Sequence, residues 1–200
     1  RFSGTKYSLL LQYLEDIGLT QNFLKYTPKP CTAENLSIAH KASYIEEIQA
    51  GILSRENQTR LGLPWSEILR QRSFIAPNGT LLAAQLALQT GIACHAAGGT
   101  HHAHWDFGAG FCVFNDLAYT ARALIKMRLA RRVLILDCDV HQGDGTANIL
   151  SNDSNILTCS IHCAENYPVK KAVSDLDFPI SKGSGDDDYL AVLGRCLNQI

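Results

Sequence analysis

The segment Asp137-Cys138-Asp139-Val140-His141-Gln142-Gly143-Asp144-Gly145 places three carboxylates and an imidazole within nine residues. Asp139 and His141 are two residues apart, so an extended backbone would turn both side chains to one side. A carboxylate beside an imidazole suits a divalent ion of the zinc type. By the same periodicity Asp137 would be a third ligand. It has a competing use, because the histidine pair His101-His102 follows Gly98-Gly99-Thr100. Each of these imidazoles needs an acceptor to fix its tautomer, and Asp137 and Asp144 could supply one carboxylate each. Two His–Asp pairs beside one metal would provide what metal-assisted amide hydrolysis requires. The ion polarises the carbonyl and acidifies water, a base takes the water proton, and an acid serves the leaving amine. Gly143 and Gly145 would let the backbone turn sharply just after the ligands.

Plainer readings exist for each part. Asp-x-Asp-x-His at a strand end can serve as helix capping and a solvated loop, and an isolated His-His pair is more often structural. The two motifs together, each after a glycine or a strand boundary, favour chemistry. Elsewhere the plain reading prevails. His40 and His95 fall in apolar helical segments and read as packed, and His104 reads as a loop residue. His162 ends a strand, near the site by topology. Cys159 and Cys163 have no partner pair and read as core. Asp186-Asp187-Asp188 reads as a helix N-terminus facing solvent.

The elements that position these residues follow from periodicity. Lys6 to Ile17 carries Leu9, Leu10, Tyr13, Leu14 and Ile17 at helical spacing. Thr32 with Asn35 opens a second helix leading to His40, and Ser43 to Ala50 continues helical up to Gly51. Asn57 to Asn78 reads as loops around a short helix, because it holds Gly62, Pro64, Pro77 and Asn78. Thr80 is expected to cap a long buried helix that ends before Gly98, and Asp116 to Leu129 is expected to be helical. Arg132 to Leu136 and Asn155 to Ile161 are continuous apolar runs that fit strands buried on both faces. Asp188 to Ile200 is helical again. Strands alternating with helices imply an α/β fold, a parallel sheet flanked by helices, with ligands outside the carboxyl ends of the strands.

The 200 residues are 46% hydrophobic and 18% charged, with a net charge of −1 and no basic cluster. That balance argues against direct nucleic-acid binding through charge. No apolar run reaches the roughly 20 residues of a membrane span, so no membrane partner is expected. The seven cysteines are odd in number and contain no Cys-x-x-Cys. They point to free thiols in a reducing compartment, the cytoplasm, or the nucleus were the cell eukaryotic. The chain starts at Arg1 without an initiator Met or signal-like stretch, which leaves a removed targeting segment open.

Gly98-Gly99-Thr100-His101-His102-Ala103, Gly110-Phe111-Cys112, Asn115-Asp116 and Asp137 to Gly145, in this order, resemble the histone deacetylase superfamily. That group includes zinc-dependent deacetylases, acetylpolyamine amidohydrolases and acetoin-utilisation proteins. The likeness runs from Arg1-Phe2 to about Asp177. His40-Lys41-Ala42-Ser43-Tyr44 and Leu63-Pro64-Trp65 look closest to the bacterial and class-IV-like branch. The resemblance implies an arginase/deacetylase-like fold and a zinc enzyme, with ferrous iron as an alternative metal. It gives Asp139 and His141 as two of three metal ligands and His102 as the general base. His101 becomes its charged partner, with Asp137 paired to His101 and Asp144 to His102. Gly110, Phe111 and Tyr167 would line an acyl-lysine tunnel. Asp137, Asp139, His141 and Ser160 would hold a monovalent cation, usually potassium, partly through backbone oxygens.

The family's third ligand, an Asp, and its oxyanion-stabilising Tyr find no counterpart after His162. Asp175, Asp177 and Asp186 to Asp188 lie in the wrong context, and the family's first strand has no match before Arg1. The expectation is one catalytic domain over residues 1–200, incomplete at both ends, and poorly active as this stretch alone. The substrate is expected to be an acylated lysine in a protein or peptide. The rivals are an acetylpolyamine or other small-molecule amidase, and a non-catalytic scaffold that keeps the fold. Acyl-chain preference and oligomeric state stay open.

Overall fold

The computed structural model describes residues 5–200, so Arg1 and Phe2, where the family likeness begins, lie outside the described residues. The elements in order are α1 (Lys6–Asp16), a short 3-10 turn, α2 (Ala33–Leu36), α3 (Ala42–Ala50), α4 (Arg55–Leu61), α5 (Glu67–Thr90) and α6 (Asp116–Lys126). They continue with β1 (Val133–Asp137), α7 (Asp144–Leu150), β2 (Ile156–Cys163), β3 (Leu176–Ile180) and α8 (Asp186–Leu197). The three strands form one parallel sheet in the order β1-β2-β3. The register sets Asp137 opposite Ser160, and Ser160 opposite Asp177. Three polar residues thus stand in a row across the sheet, at the end of β1, the middle of β2 and the start of β3.

The sheet is covered by helices on two faces because strand side chains alternate. Ile135 and Ile156 join the larger core, with Leu36, Tyr44, Ile45 and Ile48 from α2 and α3, Phe74 from α5, Tyr119 from α6 and Leu150 from α7. Cys159 and Ile161 turn the other way and meet Val192 and Cys196 of α8. Three rings lock the larger core: Phe114 meets Tyr44 and Phe74 edge-on, at centroid distances of 5.7 and 5.4 Å. Such pairs add about 1 kcal/mol each beyond burial.

Several expectations need correction. The region read as loops from Asn57 to Asn78 holds part of α4 and the start of α5. Ser66, not Thr80, caps α5, its hydroxyl accepting from the Leu69 N–H at 3.1 Å. The helix continues through Pro77, which is fully buried, and Asn78 is tied to the Lys29 carbonyl and the Tyr119 hydroxyl. These contacts outweigh the one intrahelical bond that proline removes. α5 ends at Thr90, and its last third is half-buried to exposed rather than core. β1 is also less buried than a continuous apolar run suggests, with Leu134 43% exposed. α7 and β3 were not expected at all. β3 contains Pro179, and it lies at a sheet edge, where proline is tolerated. Among the described residues no helix is long and apolar enough to cross a membrane, and all seven cysteines are free.

Candidate active site

The segment carrying His101 and His102 has no regular structure of its own, so side chains must hold it. Asp116, fully buried at the start of α6, accepts from the N–H groups of Gly99 (2.9 Å) and Thr100 (2.7 Å) and from the Thr80 hydroxyl. Asn115 caps α6 by accepting from the Ala118 N–H at 2.9 Å. Its amide donates to the carbonyls of His101 and Ala103 and to the Thr146 hydroxyl. The Asn115 N–H in turn donates to His40 Nε2 at 2.8 Å. His40 therefore carries its proton on Nδ1, which donates to the His104 carbonyl at 2.9 Å. Burial pushes its pKa down to about 4, so the ring is a fixed neutral strut. His95, the other histidine read as packed, lies beyond α5, half-buried against the Thr80 hydroxyl at 2.9 Å.

Two His–Asp pairs stand side by side in the resulting pocket. His101 Nδ1 donates to Asp137 Oδ2 at 2.6 Å, and His102 Nδ1 donates to Asp144 Oδ1 at 2.6 Å. The two imidazole centroids are 4.1 Å apart. All four side chains are at most 11% exposed. For His101, burial opposes the charged form, but the Asp137 hydrogen bond and the charges of Asp137, Asp139 and Asp144 outweigh it, and its pKa is raised. For His102, burial and the neighbouring His101 outweigh Asp144, and its pKa is lowered. Two adjacent imidazoles with pKa values driven apart are suited to act as an acid and a base. Burial would raise the pKa of Asp144, yet hydrogen bonds from His102 and His104 hold it well below the usual carboxylate range.

Asp139 and His141 follow β1 in a bend, not in an extended strand. The Asp139 carboxylate accepts from the His141 N–H at 2.8 Å, a local turn that brings Oδ1 within 3.0 Å of His141 Nδ1. The convergence expected from extended periodicity is reached by a side-chain-closed turn. The two donor atoms, one carboxylate oxygen and one imidazole nitrogen, fit a zinc-type ion. Among the described residues no group of three or more His, Cys, Asp and Glu side chains gathers as a metal site. Asp137 does not join the pair; its oxygens accept from His101 and from the Asp139 N–H.

Gly143 is the centre of a tight turn, with φ −73° and ψ 64° and the Asp144 N–H donating to the Gln142 carbonyl at 2.8 Å, whereas Gly145 lies inside α7. Neither has a positive φ. A Cβ on Gly143 would run into the Asp137 carboxylate, and one on Gly145 into the Ala103 carbonyl. Glycine is needed there because two backbones and a side chain approach too closely for anything larger. Gly110 combines both reasons, with φ +53° and a Cβ position only 2.6 Å from the His102 ring. Phe111 next to it also has a positive φ of 66°, an uncommon state for a bulky residue. A cavity of about 740 Å³ is lined by His101, His102, Asp139, His141, Gly110, Phe111 and Tyr167. The Tyr167 ring stands edge-on to His102 at 4.8 Å and to His141 at 6.1 Å.

Ser160 lies outside this cavity, its hydroxyl 3.1 Å from His162 Nδ1. His162 belongs to that buried strand cluster, 3.9 Å from Asp177. The roles of four residues, Gln142, Asn115, Asp116 and His104, escaped sequence reasoning. Gln142 is fully buried and clamps the Ala172 amide and carbonyl and the Asp177 carboxylate, which anchors the loop carrying Tyr167. Asn115 and Asp116 hold the histidine loop. His104, read as a loop residue, is in a loop, yet it also reaches Asp144.

A parallel sheet lies between helices, with two buried His–Asp pairs and the converging Asp139 and His141 gathered at the carboxyl end of β1. Residues 1–200 match the histone deacetylase domain throughout, and the chain belongs to the histone deacetylase family. It is 44% identical, over its full length and 67% of the relative's, to an uncharacterised protein of Picosynechococcus. It is 35% identical over 80% of its length to the acetoin utilization protein AcuC of Staphylococcus aureus, covering 44% of that protein. Histone deacetylase 2 of Arabidopsis thaliana is 26% identical over 98% of the chain and 53% of its own length. The crystal structure of a histone deacetylase homologue from Aquifex aeolicus superposes with a TM-score of 0.83 at 22% identity. That superposition covers 99% of this chain and 60% of the other. The fold is thus the arginase/deacetylase-like α/β architecture, and the chain spans about half to two thirds of most of these relatives.

Proposed function

We propose that the chain is the core of a metal-dependent deacetylase that hydrolyses the amide between an acyl group and a lysine side chain. The reading is carried by one observation: two buried His–Asp pairs, each bonded at 2.6 Å, share a cavity with the converging Asp139 and His141. Asp139 and His141 would hold the ion, and their O,N donor set suits zinc and ferrous iron alike. When bound, such an ion supplies Lewis acidity at the acyl carbonyl and acidifies water.

The protein's own groups do the proton work. His102 has committed Nδ1–H to Asp144, so Nε2 is free to accept the proton of the attacking water. Its lowered pKa keeps it neutral for that task. His101, whose charged form the Asp137 hydrogen bond and the nearby carboxylates favour against burial, gives its Nε2 proton to the leaving nitrogen. The carbon–oxygen bond forms, the carbon–nitrogen bond breaks, and a carboxylic acid and a free amine leave. Phe111 and Tyr167, both nearly half-exposed, offer apolar walls for an alkyl stem. Asp137, Asp139, His141 and Ser160 are proposed as the surroundings of a potassium ion. Both Asp137 carboxylate oxygens already accept hydrogen bonds, so backbone oxygens would supply much of that coordination.

Lys6, Arg60 and Arg72 line the same cavity. Cations in this lining, Arg60 partly offset by its Glu56 partner at 2.8 Å, disfavour a polycationic ligand, which supports an acyl-lysine peptide over an acetylated polyamine. The test is acetate release by the full-length protein after chelation and reloading with zinc or ferrous iron, on both substrates. Release that needs the metal and prefers the peptide supports the reading. Metal-independent release, or preference for the polyamine, contradicts it.

A further inference from the structure

Asp144 is gripped from two sides. Its Oδ1 takes the His102 Nδ1–H, and its Oδ2 lies 3.1 Å from His104 Nε2. The His104 tautomer follows from its other nitrogen. The Asn148 amide, itself a donor, sits 3.3 Å from His104 Nδ1, so Nδ1 accepts and Nε2 carries the hydrogen that goes to Asp144. The His104 ring stacks on Phe107, with centroids 4.4 Å apart and an interplanar angle of 19°. The Arg60 guanidinium covers the Phe107 ring at 4.2 Å. The backbone is fixed too: the His104 N–H donates to the Phe107 carbonyl, and the His104 carbonyl accepts from His40. His104 is 15% exposed, and Asn148 beyond it is exposed. A file of groups therefore runs from His102 through Asp144 and His104 to the surface.

We propose that His104 is a positioning residue for the deacylation step, fixing the Asp144 carboxylate so that His102 keeps its proton on Nδ1 and presents Nε2 to water. A carboxylate bonded through one oxygen can rotate about its Cβ–Cγ bond and loosen its hold. Pinning the second oxygen stops that rotation. Outer partners of this kind commonly alter activity by about tenfold or more. The proposal rests on the deacetylase reading for its kinetic consequence, but the coupling of His104 to His102 is a property of the protein alone.

The test compares His104→Phe and His104→Gln in the full-length protein. Phenylalanine keeps the stack on Phe107 and removes the donor. Glutamine places an amide nitrogen near the lost Nε2 position. The expected result is a fall in kcat of about tenfold for His104→Phe with KM within about twofold, and recovery of most of the loss by His104→Gln. A second readout needs no substrate: the His102 Nδ1–H proton resonance should broaden or shift in His104→Phe and return in His104→Gln. This readout stands even if no acyl substrate is turned over. An unchanged resonance and unchanged kcat in His104→Phe would overturn the proposal. So would equal losses in both variants accompanied by a common fall in Tm, which would mark His104 as structural only.

Discussion

Single side chains set the chemistry and a measurable part of the stability. His102→Ala removes the proposed base while leaving Asp144 partly solvated by the cavity, and it is expected to lower kcat by about 10²–10⁴-fold. KM should move far less, because the lost interaction belongs to the transition state; steady-state kinetics on an acetyl-lysine peptide checks both. His40 gives a pH prediction of definite sign. Its folded pKa is about 4, below the ordinary value of 6.5. The unfolded chain thus binds a proton that the fold refuses between pH 6.5 and 4. Its stabilising effect is complete above pH 6.5 and fades as pH falls through that window. From pH 7 to pH 5 the loss attributable to His40 is about 2 kcal/mol. Urea unfolding of wild type and His40→Gln at both pH values should show that extra slope only in wild type. His101-His102 and Asp139-x-His141 were legible in the sequence because such side chains seldom cluster without purpose. His104, Asn115, Asp116 and Gln142 were not, since their partners lie 12 to 75 positions away.

At the scale of elements, two caps differ in what they hold. Ser66 caps α5 at an exposed end, so Ser66→Ala should cost about 1 kcal/mol and leave kcat unchanged. Asn115 caps α6 and also holds two carbonyls of the histidine loop. Asn115→Ala should cost about 3 kcal/mol, a cap plus buried acceptors left unpaired, and lower kcat as well. Thermal unfolding and kinetics on both variants separate the cases. Helices with clean periodicity, such as α1, α3 and α6, and the strands β1 and β2 could be read directly. α5 was cut short because Pro77-Asn78-Gly79-Thr80 has the composition of a turn, and only tertiary partners keep it helical. α7 is seven residues long and β3 carries an internal proline, so neither leaves a periodic signature.

In the whole molecule, the proposed metal binding would be linked to folding. An ion held by Asp139 and His141 would bind the fold in preference to the unfolded chain, which would stabilise it by about 2.7 kcal/mol at a hundred times Kd. Added zinc should therefore raise the Tm of wild type and leave Asp139→Ala nearly unmoved. The sequence conveyed the layer order and the sheet polarity, because hydrophobic runs alternating with helices admit few topologies. It did not convey that Asp137, Ser160 and Asp177 would fall in one row across the sheet, which depends on register. The central claim is that these groups together hydrolyse an acyl-lysine amide. The most direct measurement is acetate release from an acetyl-lysine peptide by the zinc-loaded full-length protein, beside Asp139→Ala and His102→Ala. The account predicts steady release by wild type and loss of at least a hundredfold in both variants with the fold retained. Release at the wild-type rate in either variant, or none from folded, metal-loaded wild type, would contradict it.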